Sequence, residues 1–557
     1  MARIRDSLQT SLALGRKQGF IASLIIVWGT LVLAVLPPTR HLGLFTALQN
    51  WAYDTALQQR LPLDPRDVVI VGIDERSTMP SHLGRFPWPR EVYARLLDRL
   101  SQARAVGFDV IFHEPERDGQ GDLLFAEALA RHGRCVLVYH LAHDVEVSQR
   151  AHRPPPALPL QEPPPLPWLV RQLQLQAPLE VLADAAAGMG FADLRADPDG
   201  LYRRAPVLIA DEQGHYYPHF AVEVARVALG KSPAELSQAL GGDSLRLGVE
   251  IPLDRQGQTL INYCGPSGTV PVVPFCDVYE GRREPDYFKG KVVLVGATAA
   301  GLHDVRPAPF ARRQHFYLGV ETNASLVRMF LYGPALRDAS GSLAWLIGAG
   351  LLASLAMYLT WNMKETLAGV LVGVTILVFD AVVFFAAFYG RGVVLPFGPA
   401  ILATGLGVSW SAWRRIGLER NVIRSQFSVY VSPRVLDSLM RNPEVLYAGE
   451  RRELTLLFAD IRSSTALAER LPPEVWLAQL NEYLTAMSEV ILAHEGYLDK
   501  FMGDGIMAIW NTFGNQPHHR DLALAASVAM LQRLEALNDE WERRADRSPL
   551  RIGIGVH

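Results

Sequence analysis

Cysteine is scarce in this chain, with three residues in 557. So few over such a length exclude a disulfide framework. Cys264 and Cys276 could pair, but inert buried thiols are the better reading, and Cys135 has no obvious partner. A strong charge of either sign is also lacking. The net charge is −3, so no nucleic-acid partner is implied. What the chain has in plenty is apolar length, with 49% hydrophobic residues. It is long enough for three or four domains.

The apolar length is concentrated in four runs. Residues 19–36 carry no charge and suffice to span a bilayer. Arg3, Arg5, Arg16 and Lys17 precede them, and no tidy small-residue cleavage site follows, so an uncleaved anchor is favoured over a signal peptide. The basic flank puts residues 1–18 in the cytoplasm. Residues 341–361, 366–389 and 393–413 are three further spans, joined by connectors so short that the helices must be antiparallel neighbours. The first span leads out, so residues 39–340 lie outside, and the last three return the chain to the inside. Lys364 and the flank Arg414, Arg415, Arg420 and Arg424 agree with this, and Arg391 is a minor exception. The expected location is the inner (plasma) membrane, multi-pass. Asp380 sits mid-span, where a carboxyl is costly. It is expected to face another helix in a packing hydrogen bond, with a part in signalling as the alternative.

The outer region alternates strand and helix signals. Residues 67–73 (DVVIVGI), 105–112 (AVGFDVIF), 135–139 and 291–295 (KVVLV) read as buried strands, and residues 91–101 as an amphipathic helix. This alternation predicts an α/β fold with a largely parallel sheet. Residues 153–168 (RPPPALPLQEPPPLPW) are too proline-rich for regular structure and read as an exposed polyproline-like insertion. His113, His132, His140, His143 and His152 match no closed metal-site spacing and read as scattered surface histidines.

The stretch with the most chemistry lies near the end. It reads LTLLFADIRSST, a helical interval, then GYLDKFMGDGIMAIW. Residues 454–459 predict a buried strand that ends in Asp460. Residues 496–502 and 506–510 predict a hairpin turning at Gly503, Asp504 and Gly505, with Asp504 at its tip. Two carboxylates at neighbouring strand ends suit a pair of divalent cations, Mg²⁺ or Mn²⁺. Ile461, Arg462, Ser463, Ser464 and Thr465 form a plausible phosphate cradle, and the last three equally suit a helix cap. Residues 520–543 have helical apolar spacing, and residues 550–556 read as a further strand. Between membrane and this region, residues 414–449 hold an amphipathic helix at 433–440, with Ser432 as N-cap and Pro433 in the first turn.

FADIRSST followed by DKFMGDG resembles the class III nucleotide cyclases, over residues 450–557. The resemblance implies that Asp460, Asp504 and the carbonyl of Ile461 are metal ligands. It places Lys500 where adenylate cyclases carry the lysine that accompanies adenine, with Phe501 and Gly503 beside the nucleotide. A lysine donor suits the ring nitrogen that is an acceptor in adenine and a donor in guanine, so ATP is the expected substrate. Guanylate cyclase, and a catalytically degenerate receptor that signals by protein contact, are the alternatives. The family pairs two catalytic domains head to tail, so a homodimer is expected, with Lys500 serving the site opposite its own carboxylates. Class III domains continue beyond the last strand read here, where they carry an asparagine and an arginine. These 557 residues alone are therefore expected to be inactive.

Within residues 39–340, GIDERSTMPSHLGRFPWPREVYARLLDRL, GFDVIFHEPE, GKVVLVGATAAGLHDVRPAPF and LGVETNASLVRMFL resemble the second class of CHASE-type sensor, an extracytoplasmic module of bacterial receptors. That implies an extracytoplasmic ligand of unknown chemistry. The expected fold class is a multidomain α/β membrane receptor. It would combine an α/β sensor, four transmembrane helices (one plus three) and a partial, ferredoxin-like α+β cyclase domain.

Overall fold

The computed structural model describes residues 2–35, 43–117, 119–141, 156–158, 160, 168–170, 175–241, 243–302, 305–310, 317–339, 341–362, 366–427, 451–512, 515–544 and 547–557. The chain forms two compact bodies. One holds residues 22–409 and the other residues 1–21 with 410–557.

Helix α1 (Ala2–Val35) begins well before the expected span and contributes residues to both bodies, and α2 (Gly43–Gln59) belongs to the first. The centre of the first body is a sheet built from β1 (Val68–Ile73), β2 (Ala105–Asp109), β3 (Cys135–Leu141), β4 (Gly188–Phe191), β5 (Val272–Pro274) and β6 (Val292–Ala297). The order is β5-β1-β6-β2-β3-β4, parallel throughout, and the short strand Leu175–Gln176 adds antiparallel to β3. β1 is buried at every position. This follows from its unbroken VVIVGI run, which must meet apolar partners on both faces. Val69, Val71 and Ile73 pack with residues of α3 (Arg90–Arg99) and α4 (Gln120–His132). Val68 and Ile70 pack on the other face with α2, α5 (Phe220–Ala228) and α6 (Gly319–Tyr332). The α/β architecture with a parallel sheet is as read from the sequence. β2 is shorter than read, because its last partner, Gly296 of β6, pairs with Asp109.

His113, His132 and His140 hold separate partners: Gln176, the carbonyl of Leu100 and Asp193. His143 and His152 lie outside the described residues, as does most of the proline-rich insertion. Cys135, Cys264 and Cys276 are buried free thiols.

After α6 the chain forms β7 (Arg337–Asp338), α7 (Leu343–Asn362), α8 (Thr366–Arg391), β8 (Val393–Val394) and α9 (Phe397–Phe427). Among the described residues three helices are long and apolar enough to cross a membrane, at Lys17–Ala34, Leu343–Asn362 and Leu367–Arg391. The expected fourth span at 393–413 differs. Its first residues pair as β8 with β7, and the helix starts at Phe397. α9 is diluted by Gly398, Gly405, Gly407, Ser409 and Ser411, so its apolar character is weaker. Gly407 serves close packing. A Cβ at Gly407 would meet Met357 at 2.5 Å, and one at Gly373 of α8 would meet Val408 at 2.6 Å. Asp380 of α8 accepts from the Thr404 hydroxyl of α9 at 3.4 Å, so it does face another helix. Lys364 and the helix read at 433–440, with Ser432 and Pro433, lie outside the described residues.

The second body contains β9 (Thr455–Ile461), α10 (Ser464–Arg470), α11 (Pro473–Ala493), β10 (Tyr497–Met502), β11 (Gly505–Trp510), α12 (His519–Arg544) and β12 (Ile552–Val556). The strands form one antiparallel sheet in the order β10-β11-β9-β12. Leu457, Ala459, Ile506 and Ala508 pack beneath it with Tyr483, Met487 and Met530 of α11 and α12. Each such large side chain contributes on the order of 1.5–3 kcal/mol on burial. The two helices are tied by Glu482 of α11, which accepts from the Trp541 indole at 2.9 Å and pairs with Arg544 at 2.9 Å. β9 was expected to be buried on both sides. It alternates instead, with Phe458 and Asp460 exposed, because helices cover only one face.

Candidate active site

β9 runs two residues past Ala459, so Asp460 lies within the strand, paired with Gly553 of β12. The hairpin closes at the pair Met502–Gly505, so its two central residues are Gly503 and Asp504. The turn therefore sits one residue earlier than Asp504–Gly505 at its centre would put it. Gly503 has φ +70°, and Asp504 is not among the positive-φ residues. Positive φ at the first central position alone is the pattern of a type II′ turn, for which glycine is the favoured residue. Asp504 is thereby held at the tip, next to Gly505, where an added Cβ would come 3.4 Å from Asp460 Oδ1.

Thus β9 and β11, adjacent and antiparallel, bring Asp460 and Asp504 together. Partial desolvation, then the neighbouring Asp504 carboxyl, hold the Asp460 carboxyl above its ordinary range, against a weaker pull from the Ile461 amide, which donates to its Oδ1 at 3.2 Å. Asp504 Oδ2 is buried and has no hydrogen-bond partner. Two like charges in contact are stable only with a shared proton or a cation between them. The pair therefore fits a divalent cation, and Mg²⁺ characteristically takes one or two carboxylates, leaving its other positions to phosphate and water. Among the described residues no group of three or more acidic, His or Cys side chains converges.

The remaining sequence-predicted residues fall into two sets. The Ile461 side chain is buried, and its carbonyl ends β9 beside Asp460. Ser463 occupies the N-cap position of α10 with φ 59° and makes no side-chain cap bond, while Ser464 and Thr465 open the helix. The Arg462 amide is committed to the Arg551 carbonyl at 2.8 Å, so it cannot serve a phosphate. The Arg462 side chain lies over Gly553 and lines a cleft with Glu535, Asn538 and Asp539, whose lining includes neither carboxylate. Lys500 points to solvent on β10 and pairs with Asp499 at 3.1 Å, apart from the acid pair, with Phe501 exposed beside it.

Tyr483 is not legible as a site residue in the sequence. It is an aromatic on the apolar stripe of α11, the same signal that core packing gives. In the fold it is fully buried, its hydroxyl has no hydrogen-bond partner, and both carboxylates act on it electrostatically.

Residues 30–360 match the CHASE2 domain model, and residues 446–557 match the Adenylate and Guanylate cyclase catalytic domain model. Adenylate cyclase 1 of Rhizobium meliloti (strain 1021) is 36% identical over 110 residues, which is 20% of this chain and 16% of that protein. Adenylate cyclase of Anabaena cylindrica is 34% identical over 138 residues, 24% of this chain and 26% of that protein. The match thus spans about a quarter or less of these relatives. Among solved structures, the guanylyl cyclase Cya2 shares 36% identity, with 19% of this chain and 54% of that chain covered and a TM-score of 0.19. The adenylyl cyclase CyaB from P. aeruginosa shares 32% identity, with 18% and 54% covered and a TM-score of 0.18. The chain belongs to the CHASE2 domain family and carries, after that domain, an adenylate/guanylate cyclase catalytic domain of class III.

Proposed function

We propose that the protein is a membrane-bound adenylate cyclase that converts ATP to 3′,5′-cyclic AMP and pyrophosphate under control of an extracytoplasmic sensor. One observation carries the reading: the antiparallel pairing of β9 with β11 sets the hairpin tip that holds Asp504 beside Asp460. Asp460, Asp504 and the carbonyl of Ile461 would hold two Mg²⁺ or Mn²⁺ ions. When bound, such ions lower the pKa of the ribose 3′-hydroxyl and neutralise the triphosphate as pyrophosphate leaves. The backbone of Ser463, Ser464 and Thr465 accommodates the triphosphate, and Gly503 admits it close to the hairpin. The Arg462 side chain is the weakest member of that set, since it turns toward α12.

Lys500 reads adenine from the paired subunit, with Phe501 beside it. The exposed apolar residues Phe458, Phe501, Met502 and Val556 on β9, β10 and β12 support a homodimer through this sheet. The sensor lies outside the plasma membrane and the catalytic domain inside, with α9 as the fourth crossing.

The test is a cyclase assay of the full-length protein in membranes, with ATP and GTP, each in Mg²⁺ and Mn²⁺. Cyclic AMP from ATP is the expected product. Preference for GTP would assign guanylate cyclase, the activity named for Cya2. Asp460→Ala and Asp504→Ala should each lower turnover by about a thousandfold or more with the fold retained. Substantial activity in either variant would refute the metal assignment.

A further inference from the structure

Two buried polar atoms in the catalytic body lack a partner in the same neighbourhood: the Tyr483 hydroxyl and Asp504 Oδ2. One is a donor and the other an acceptor. Leaving either unsatisfied costs on the order of 1–3 kcal/mol, so each calls for a physical reason. Tyr483 is fully buried on α11, packed in the cluster that includes Leu457, Ala459, Ile506 and Ala508, which are the inward residues of the two strands carrying the acid pair. Burial first, then the charges of Asp460 and Asp504, push the phenol well above its ordinary range. A phenolic O–H is a hydrogen-bond donor.

We propose that Tyr483 is a positioning residue: its hydroxyl donates to the inner oxygen of Asp504 through one water, and leaves the outer oxygen for a cation. This rests on the reading of Asp460 and Asp504 as metal ligands. The chemistry follows from the carboxylate. A free carboxyl at a two-residue hairpin tip can rotate about χ2 and present either oxygen. A donor fixed in the core beneath it selects one rotamer and takes up one lone pair. Partners of this kind, one step removed from the metal, typically change cation affinity by about 10–100-fold when removed. Phenylalanine at 483 keeps the ring packing and deletes only the hydroxyl.

The test uses the full-length protein, with Mn²⁺ as the probe, and compares wild type, Tyr483→Phe and Asp504→Ala. Free Mn²⁺ is followed by electron paramagnetic resonance, and turnover is measured against Mn²⁺ concentration. Tyr483→Phe is expected to raise the Mn²⁺ concentration for half-saturation about tenfold in both readouts. The rate at saturating Mn²⁺ should stay within about threefold. A purely structural hydroxyl would leave the Mn²⁺ midpoint alone, and that result overturns the proposal. If Tyr483→Phe binds Mn²⁺ like wild type while Asp504→Ala does not, the positioning role fails and the metal assignment stands. If Asp504→Ala also binds Mn²⁺ and turns over like wild type, the underlying reading fails as well. Should Tyr483→Phe not fold, Tyr483→Trp serves: its ring N–H retains a donor and should preserve the Mn²⁺ midpoint, and a tenfold rise there would count against the proposal.

Discussion

His140 and Asp193 meet at the carboxyl end of β3, with Nδ1 and Oδ1 3.5 Å apart and both side chains partly buried. Burial alone would depress the imidazole, but the hydrogen bond and charge of Asp193 outweigh it and raise His140 above ~6.5. Burial likewise opposes ionisation of Asp193, but His140 and the Leu141 amide hold its carboxyl below the ordinary range. The two contributions to stability have opposite acid–base signs. That of His140 is complete below the unfolded imidazole pKa and is lost as pH rises through the raised folded value. That of Asp193 is complete above the unfolded carboxylate pKa and is lost as pH falls through the depressed one. The sensor should therefore lose stability between neutral and mildly alkaline pH, by about 1 kcal/mol or less. Thermal unfolding from pH 6 to 9 checks this, and His140→Gln should flatten the profile; an unchanged slope in that variant would show that another group titrates. The same scale separates what sequence can reveal. Asp460 and Asp504 are legible because each interrupts an apolar run, and a charge there demands a reason. Arg462 is legible only as part of a loop, and its direction depends on β12, far along the chain.

Among the elements, the short pair β7–β8 joins the sensor to the turn between α8 and α9. Arg337 donates to the Gly392 carbonyl at 2.8 Å, and Ala339 to that of Val394 at 2.9 Å. Gln49 of α2 braces the same turn from the other side: its Nε2 donates to the Leu395 carbonyl at 2.8 Å, and its Oε1 accepts from the Gly398 amide at 3.2 Å. Tyr53 meets Phe388 edge-on, with ring centroids 6.2 Å apart. α2 is therefore tied to the start of α9. Gln49→Leu, which removes two part-buried hydrogen bonds at similar volume, should destabilise this junction by about 1–3 kcal/mol. Hydrogen exchange of a peptide covering residues 392–400 should then be faster, while β1 stays protected; unchanged exchange would mean that β7 alone holds the turn. Neither β7 nor β8 is visible in sequence, since two residues carry no period, and residues 393–394 simply extend an apolar run. The long strands β1 and β6 are legible because burial on both faces forces a continuous apolar sequence. β9 has a similar sequence but one open face, so its outer residue Phe458 stays exposed.

For the whole molecule, the number of crossings decides where the catalytic domain lies. Among the described residues three helices have the length and apolarity to cross on their own, one before the sensor and two after it. Three crossings would leave the cyclase domain on the sensor's side, away from nucleoside triphosphate. A fourth is required to return it, and α9 is the candidate that composition alone undervalues. Three of its residues are spent on neighbours, with Gly407 against Met357, Val408 against Gly373, and Thr404 on Asp380. A helix that packs this way inside a bundle needs less lipid-facing apolar surface than an isolated span. The three native cysteines are all buried, which gives a low background for labelling. Gln213 in the sensor and Gln532 on α12 are exposed. In intact cells a membrane-impermeant maleimide should label Gln213→Cys and spare Gln532→Cys, and permeabilisation should expose the second. Labelling of both sites in intact cells would mean that α9 does not cross, and the cyclase domain could then not draw on cytoplasmic ATP.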